Sequence, residues 1–350
     1  MNPQPIIDAD VHSVIPSVKA LYPYLSEYWR RYIEISGFTR PPTNHAPSGG
    51  PRGDSMPPGG GPAGSDVAFM RQQLLDQWNI QYAILNPSYH GVAWLANMHL
   101  AGALATAVNE WTVEHWLERD PRFRASIIVA PQDPAGAAKE IDRAARHKGF
   151  VQILLPSSSE APYGKPRYRP IHEAAARHGL PIGIHLGMAT ETTPPPSPNG
   201  WFSYYLEMHA ISGPMSAMSH TTSFVCEGVF KEFPSLKVVM IECGMSWVPT
   251  VMWRLDKDWK GLRHEVPWVE RKPSEYIREH FHSTTQPVEE PDRPEHLQQI
   301  FDMIDNDRFF IFATDYPHWD FDSPDHALSA IRRELRPRIF YENARELYRL

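Results

Sequence analysis

The chain has 350 residues, including 35 prolines, 21 glycines and 17 histidines but only 2 cysteines, and it is 42% hydrophobic and 21% charged, the balance of a globular protein. No uncharged apolar run approaches the roughly 18 residues that a membrane-spanning helix needs, so no membrane partner is expected. Lys and Arg number 34 against 41 Asp and Glu, and the net charge of −7 gives a nucleic-acid surface no electrostatic support.

Read from the start, Met-Asn-Pro-Gln-Pro lacks the basic and apolar regions of a signal peptide and runs straight into Ile6-Ile7-Asp8, so a cytoplasmic location is expected. Cys226 and Cys243 form no C-x-x-C pair, which excludes both a thiolate zinc site and a disulfide framework. Short β-rich runs then recur at 5–12, 80–87, 123–131, 150–156, 181–187, 237–244, 281–286 and 308–316, the seventh being the weakest. Between them the pattern predicts helices over 66–78, 94–118, 134–147, 169–178, 247–263, 293–304 and 324–335, with Asp133-Pro134 and Ser323-Pro324 as N-cap and N1 pairs. Eight strands alternating with helices predict an α/β fold, a distorted (β/α)8 TIM barrel formed by residues 1–350 as one domain. A doubly wound open sheet is the alternative.

Two segments interrupt the alternation. Residues 39–65 are dense in Pro, Gly and Ser and cannot bury apolar surface, so they form an extended excursion after the first strand. In a barrel this excursion emerges at the C-terminal face, where it serves either as a lid or as a solvated insertion. Residues 188–201 follow the fifth strand and emerge on the same face.

The first strand ends Asp8-Ala9-Asp10-Val11-His12, and in a regular strand Asp8, Asp10 and His12 share one face. Alone, such a motif also suits a strand end with a hydrogen-bonded histidine. However, His185 ends the fifth strand and Asp315 ends the eighth, and barrel strands converge at their C-terminal ends. Asp10, His12, His185 and Asp315 together offer two nitrogen and two oxygen donors, a set suited to one divalent cation, Zn2+ first and Mn2+ second.

Several longer motifs carry a more specific likeness: DADVH at 8–12, PIGIHLG at 181–187, GVFKEFPSLKVVMIECGMSWVP at 228–249, FATDYPH at 312–318 and YENARELYRL at 341–350. With them the chain resembles the amidohydrolase superfamily, in the amidohydrolase-2 branch that includes aminocarboxymuconate-semialdehyde decarboxylase and resorcylate decarboxylase. The resemblance implies a metal held by Asp10, His12, His185 and Asp315, with Asp315 also shuttling a proton. It further implies that His220 lies near the substrate, although a helix histidine bonded to backbone fits the same position. Decarboxylases of the branch usually carry a catalytic histidine at the end of the sixth strand, where this chain has Glu242. Glu242 then serves as an acid or base, or orients a ligand histidine.

A cation held by carboxylates and imidazoles acidifies a bound water, so hydrolysis of a small aromatic or carboxylated molecule is the expected reaction. Non-oxidative decarboxylation of an aromatic or unsaturated acid is the alternative, and a non-catalytic binding barrel is a third reading. Trp201, Trp319 and His318 follow strand ends and are expected to contact the substrate. Arg254 is expected to pair with a helix neighbour or with the sheet rim. The resemblance and helix aromatics such as Trp111 and Trp116 suggest a homo-oligomer, a dimer or tetramer.

Overall fold

The computed structural model describes residues 4–41, 50–187 and 204–350. Eight strands appear where the β-rich runs predict them: β1 Ile6–Val11, β2 Ile80–Leu85, β3 Phe123–Ile128, β4 Phe150–Pro156, β5 Ile182–His185, β6 Val238–Ile241, β7 Phe281–Thr284 and β8 Phe310–Ile311. All neighbours are parallel and follow chain order from β1 to β8. The ring closes where Ala9 N–H donates to Phe312 O (2.9 Å), Asp315 N–H to Asp10 O (3.1 Å) and His12 N–H to Tyr316 O (2.7 Å). This is the expected (β/α)8 barrel, and the sequential order excludes the doubly wound alternative.

Strands buried on both faces explain the near-continuous apolar runs: every residue of β1, β4, β5 and β6 is buried. Helices cover the barrel, and several have legible starts. Asp133 caps the Pro134–Ala144 helix by accepting from Gly136 N–H at 3.0 Å, with Pro134 in the first turn. Arg254 pairs with Asp258 at 2.8 Å along the Trp247–Leu262 helix, one turn apart.

Three expectations need correction. The stretch 324–335 is turns ending in a 3-10 turn at Arg333–Leu335. Arg336 donates to the carbonyls of Leu328 and Ser329, and Arg332 N–H goes to Gln298 Oε1, so helical pairing is displaced by side chains. The 22-residue helix Tyr205–Cys226 was not among those expected, because Gly213-Pro214 in its middle reads as a break. Finally, Trp111 and Trp116 belong to the core, 4% and 0% exposed, and support no oligomer contact.

Within the 39–65 excursion, residues 42–49 lie outside the described residues, and so does the whole 188–201 segment. Of the excursion, the described part from 50 to 65 is held at the barrel mouth. Pro51 bridges His318, Arg52 N–H donates to Pro317 O (2.8 Å), Trp319 N–H to Gly50 O (3.2 Å), and Val14 N–H to Gly64 O (2.9 Å). Among the described residues no helix is long and apolar enough to cross a membrane.

Candidate metal centre

Strand ends deliver the first donors. Between Asp8 and Val11 the register with β2 slips, with Asp8 opposite Ala83 and Val11 opposite Leu85, so the regular alternation breaks. Asp8 is consequently taken elsewhere, accepting from Thr314 N–H (3.0 Å), Thr314 Oγ1–H (2.6 Å) and Asp10 N–H (3.2 Å). Burial outweighs these bonds and pushes its carboxyl up to about 7. Asp10 and His12 enter the mouth without it.

Asp10 Oδ1 accepts from Asn86 Nδ2 at 2.8 Å, while the buried Oδ2 has no hydrogen-bond partner among the described residues. Asn86 is itself fixed by Ser126 Oγ–H (2.6 Å), Ser126 by Gln152 Nε2–H (2.9 Å) and Gln152 by Tyr348 O–H (3.0 Å). A polar chain through β2, β3 and β4 therefore locks the orientation of the Asp10 carboxylate.

The two histidines define the chemistry. His12 Nδ1 lies 2.9 Å from Asn86 O, and His185 Nδ1 lies 2.6 Å from Leu186 O. A carbonyl only accepts, so each Nδ1 carries a proton, and each Nε2 is the ring atom turned into the cluster. These two Nε2 atoms face each other at 3.3 Å. Asp315 Oδ1 lies 2.9 Å from His12 Nε2, and Asp10 Oδ2 and Glu242 Oε2 lie 3.4 and 3.5 Å from His185 Nε2. Three buried carboxylates around these two nitrogens repel one another unless positive charge sits between them. The same demand appears at His185: burial pulls the ring down, but Asp10, Glu242 and Asp315 outweigh it and hold it up at about 10.

The donor set fits a cation. Asp10, His12, His185, Glu242 and Asp315 are all buried, with ligand atoms within 4.8 Å of one another. Atoms bound at about 2.1 Å to a first-row divalent ion are about 3.0–3.4 Å apart, close to the separations found. A mixed nitrogen and carboxylate set suits Zn2+ or Mn2+ and is poor for Ca2+.

The other candidates separate into those at the mouth and those away from it. His318 Nδ1 lies 2.9 and 2.8 Å from the two Asp315 oxygens, and its ring packs 4.4 Å from that of His12. Burial opposes its charge, yet Asp315 beside it holds the His318 ring up at about 9. Burial raises Asp315, but His318 and His12 prevail and hold its carboxyl well below the usual range. Glu242 directly follows β6 with φ 56°, its N–H bonded to Thr284 Oγ1 at 3.0 Å, and burial raises its carboxyl. Trp319 is half exposed, with its ring 5.7 Å from His209. Trp201 lies outside the described residues.

His220 is not brought to the cluster. Its Nε2–H donates to Ser157 O (2.8 Å), its Nδ1 accepts from Tyr163 N–H (3.1 Å), and its ring stacks on Tyr163 at 4.8 Å. With both nitrogens satisfied by backbone, it packs the Tyr205–Cys226 helix onto the barrel. Sequence reasoning missed His209 instead, one turn into that helix, which lies 3.3 Å from Glu242 and 3.2 Å from Asp320. Its place in YYLEMHA carries no strand-end signal.

A parallel eight-stranded barrel with a buried acid and imidazole cluster at its C-terminal mouth defines the class of metal-dependent (β/α)8 enzymes. The amidohydrolase family profile matches residues 7–350, and the chain belongs to that family. It is 27% identical over 305 residues to gamma-resorcylate decarboxylase from Polaromonas sp. strain JS666, covering 81% of this chain and 88% of that one. Among solved structures it is similar to the dihydroxybenzoic acid decarboxylase of Polaromonas sp. JS666 with bound manganese and 2-nitroresorcinol (21% identity, TM-score 0.68, 100% and 98% of the two chains). The 5-carboxyvanillate decarboxylase of Sphingomonas paucimobilis is also similar (20% identity, TM-score 0.71, 99% of each chain). These relatives overturn the expectation of hydrolysis: each is named for cleaving a carbon–carbon bond with loss of a carboxyl group, a reaction that needs no attacking water.

Proposed function

We propose that this protein is a metal-dependent, non-oxidative decarboxylase of a small aromatic carboxylic acid. The observation that carries the reading is the 27% identity with gamma-resorcylate decarboxylase across most of both chains, in a barrel whose mouth holds a buried cluster suited to a cation. Mn2+ is the proposed metal in place of Zn2+, supported by the manganese bound in a structurally similar enzyme and by a carboxylate-rich donor set. Asp10, His12, His185 and Asp315 would hold it, with Glu242 against His185. The bound ion would supply positive charge that anchors and polarises an anionic substrate.

The chain's own groups handle the proton. When the bond between ring and carboxyl breaks, its electron pair stays on the ring carbon and carbon dioxide leaves, so that carbon must receive one proton. In this reading His318, held protonated by Asp315 2.8 Å away, would supply the proton from the half-open side of the mouth, and Asp315 would pass it to the carbon. Trp319 provides an aromatic wall beside the opening. The absence of a sixth-strand histidine is met in this reading by Asp315 as the donor.

The single sheet and the family match over 7–350 support one barrel domain across residues 1–350. Two free thiols, Cys226 and Cys243, support a reducing compartment such as the cytoplasm. The test is carbon dioxide release from 2,6-dihydroxybenzoate, 5-carboxyvanillate and related hydroxybenzoates with added Mn2+. Release from at least one, with the matching phenol as product, is expected. Substrates left intact across the panel would refute the reading.

A further inference from the structure

The end of the barrel opposite the metal cluster holds a cavity of about 420 Å³, a size that suits a small molecule. Its lining comes from residues that lead into the later strands: Pro181 directly before β5, Lys237 directly before β6, His282 within β7 and Arg308 two residues before β8. The C-terminal helix Asn343–Tyr348 and Arg349 after it complete the lining. Catalysis in this fold takes place at the other face, so decarboxylation leaves this cavity without a role.

Its charge calls for an anion. Lys237, Arg278, Arg308 and Arg349 line it against only two carboxylates, Glu279 and Glu346, an excess of two positive charges in a chain whose net charge is −7. Both carboxylates are already paired: Glu279 with Arg271, and Glu346 at 3.6 Å from Arg308 and 3.9 Å from Arg338. Among the described residues, three of the four cations meet no carboxylate. Lys237 Nζ donates to the main-chain oxygen of Glu279 (2.7 Å), Arg278 Nε donates to Ile304 O (2.7 Å), and Arg349 makes no hydrogen bond or ion pair. The Arg349 guanidinium is nonetheless seated, because it fills the space beside Gly179, with Nη1 2.5 Å from where a Cβ would stand.

His282 decides what else the anion carries. Its Nδ1 donates to Arg308 O at 2.9 Å, which leaves Nε2 as the free ring nitrogen. Burial draws the ring down to about 4, so at neutral pH this nitrogen is a lone pair that needs a donor. A phosphate dianion meets the two spare charges, since guanidinium forks and a lysine ammonium are both apt partners for its oxygens.

We propose that this cavity binds a small phosphate monoester, its dianion held by Lys237, Arg278 and Arg349 and a hydroxyl of its body donating to His282 Nε2. Inorganic hydrogen phosphate shares the charge and the O–H, whereas sulfate has the charge and no proton to donate. Neither the metal nor the decarboxylase reading bears on this site.

Isothermal titration calorimetry of the full-length protein at about pH 8 and fixed ionic strength, with glycerol 3-phosphate, inorganic phosphate and sulfate, provides the test. Both phosphates should bind at one per chain, and sulfate roughly tenfold or more weakly. Arg349→Gln and Lys237→Met, checked for native circular dichroism, should each weaken glycerol 3-phosphate roughly tenfold or more while manganese content stays at the wild-type level. The site is overturned if neither phosphate binds, if sulfate binds as tightly as phosphate, or if both variants retain binding, which places the anion elsewhere. Arg349 is exposed and unpaired, so should Lys237→Met fail to fold, Arg349→Gln decides alone.

Discussion

Asp315 and Glu242 are both non-glycine residues with positive φ, 60° and 56°, and both aim carboxylates into the barrel mouth. Such conformations cost of order 1–3 kcal/mol each and persist only where their surroundings hold them. For Asp315 the hold is its N–H on Asp10 O and the His318 ring on its oxygens. Asp315→Asn keeps the shape and removes the acid, so decarboxylation should fall roughly 10²–10⁴-fold while the protein still takes up Mn2+, measured by metal analysis beside kcat. Turnover at the wild-type rate would remove Asp315 from proton delivery. His220 gives the opposite expectation. His220→Gln should cost about 1–3 kcal/mol of stability through its two backbone bonds and leave kcat/KM of the folded fraction nearly unchanged. His220 also sets a pH dependence, together with His172, which lies 2.8 Å from Tyr163 O. Burial draws the two rings down to about 4 and about 3, so both are neutral when folded. Below pH 6.5 the unfolded chain binds more protons, so this stability is complete above about 6.5 and drains away as pH falls towards 4. Urea midpoints should therefore drop between pH 7 and pH 5, less steeply in His220→Gln, and equal slopes would contradict the assignment.

The returning limb of the Pro- and Gly-rich excursion is an element of the site because its backbone seats against the segments bearing His12 and His318. Gly64 has φ 77°, and a Cβ there would stand 2.6 Å from the carbonyl oxygen of His12. Gly64→Ala should therefore both lower stability, by about 1–3 kcal/mol, and weaken Mn2+ binding measured by calorimetry. Gly59→Ala, which meets nothing within 4 Å, is the matched control. Unchanged Mn2+ affinity in Gly64→Ala would detach this limb from the centre. Composition marks the excursion as a loop, but not its docking, because antiparallel pairing of Pro51 with His318 depends on where the barrel closes. Similar logic explains the segment 324–335. Its Ser-Pro start and apolar spacing read as helix, yet the decisive bonds come from Gln298 and Arg336, which local pattern does not include.

At the scale of the whole molecule, the barrel was legible because eight short apolar strands, four of them buried at every residue, alternate with helices along the chain. Asp10, His12, His185, Glu242 and Asp315 were legible for a related reason: each breaks an apolar run at its C-terminal end, and barrel closure brings those ends together. His209 and Asp320 ride on a covering helix and a loop, whose position over the mouth follows from packing, so nothing in their local sequence marks them. Trp111 and Trp116 show the converse error, since aromatic residues on a helix are as well suited to the core as to a subunit contact. What unites the molecule is a buried cluster that calls for positive charge at the one place where eight strand ends meet. The most direct test is chelator-stripped protein incubated in D2O with a hydroxybenzoate that the intact enzyme decarboxylates, before and after Mn2+ is restored. Carbon dioxide release should vanish on stripping and return with Mn2+, and the product should carry one deuterium at the carbon that lost the carboxyl group. Full activity in the stripped protein would contradict the metal-dependent account.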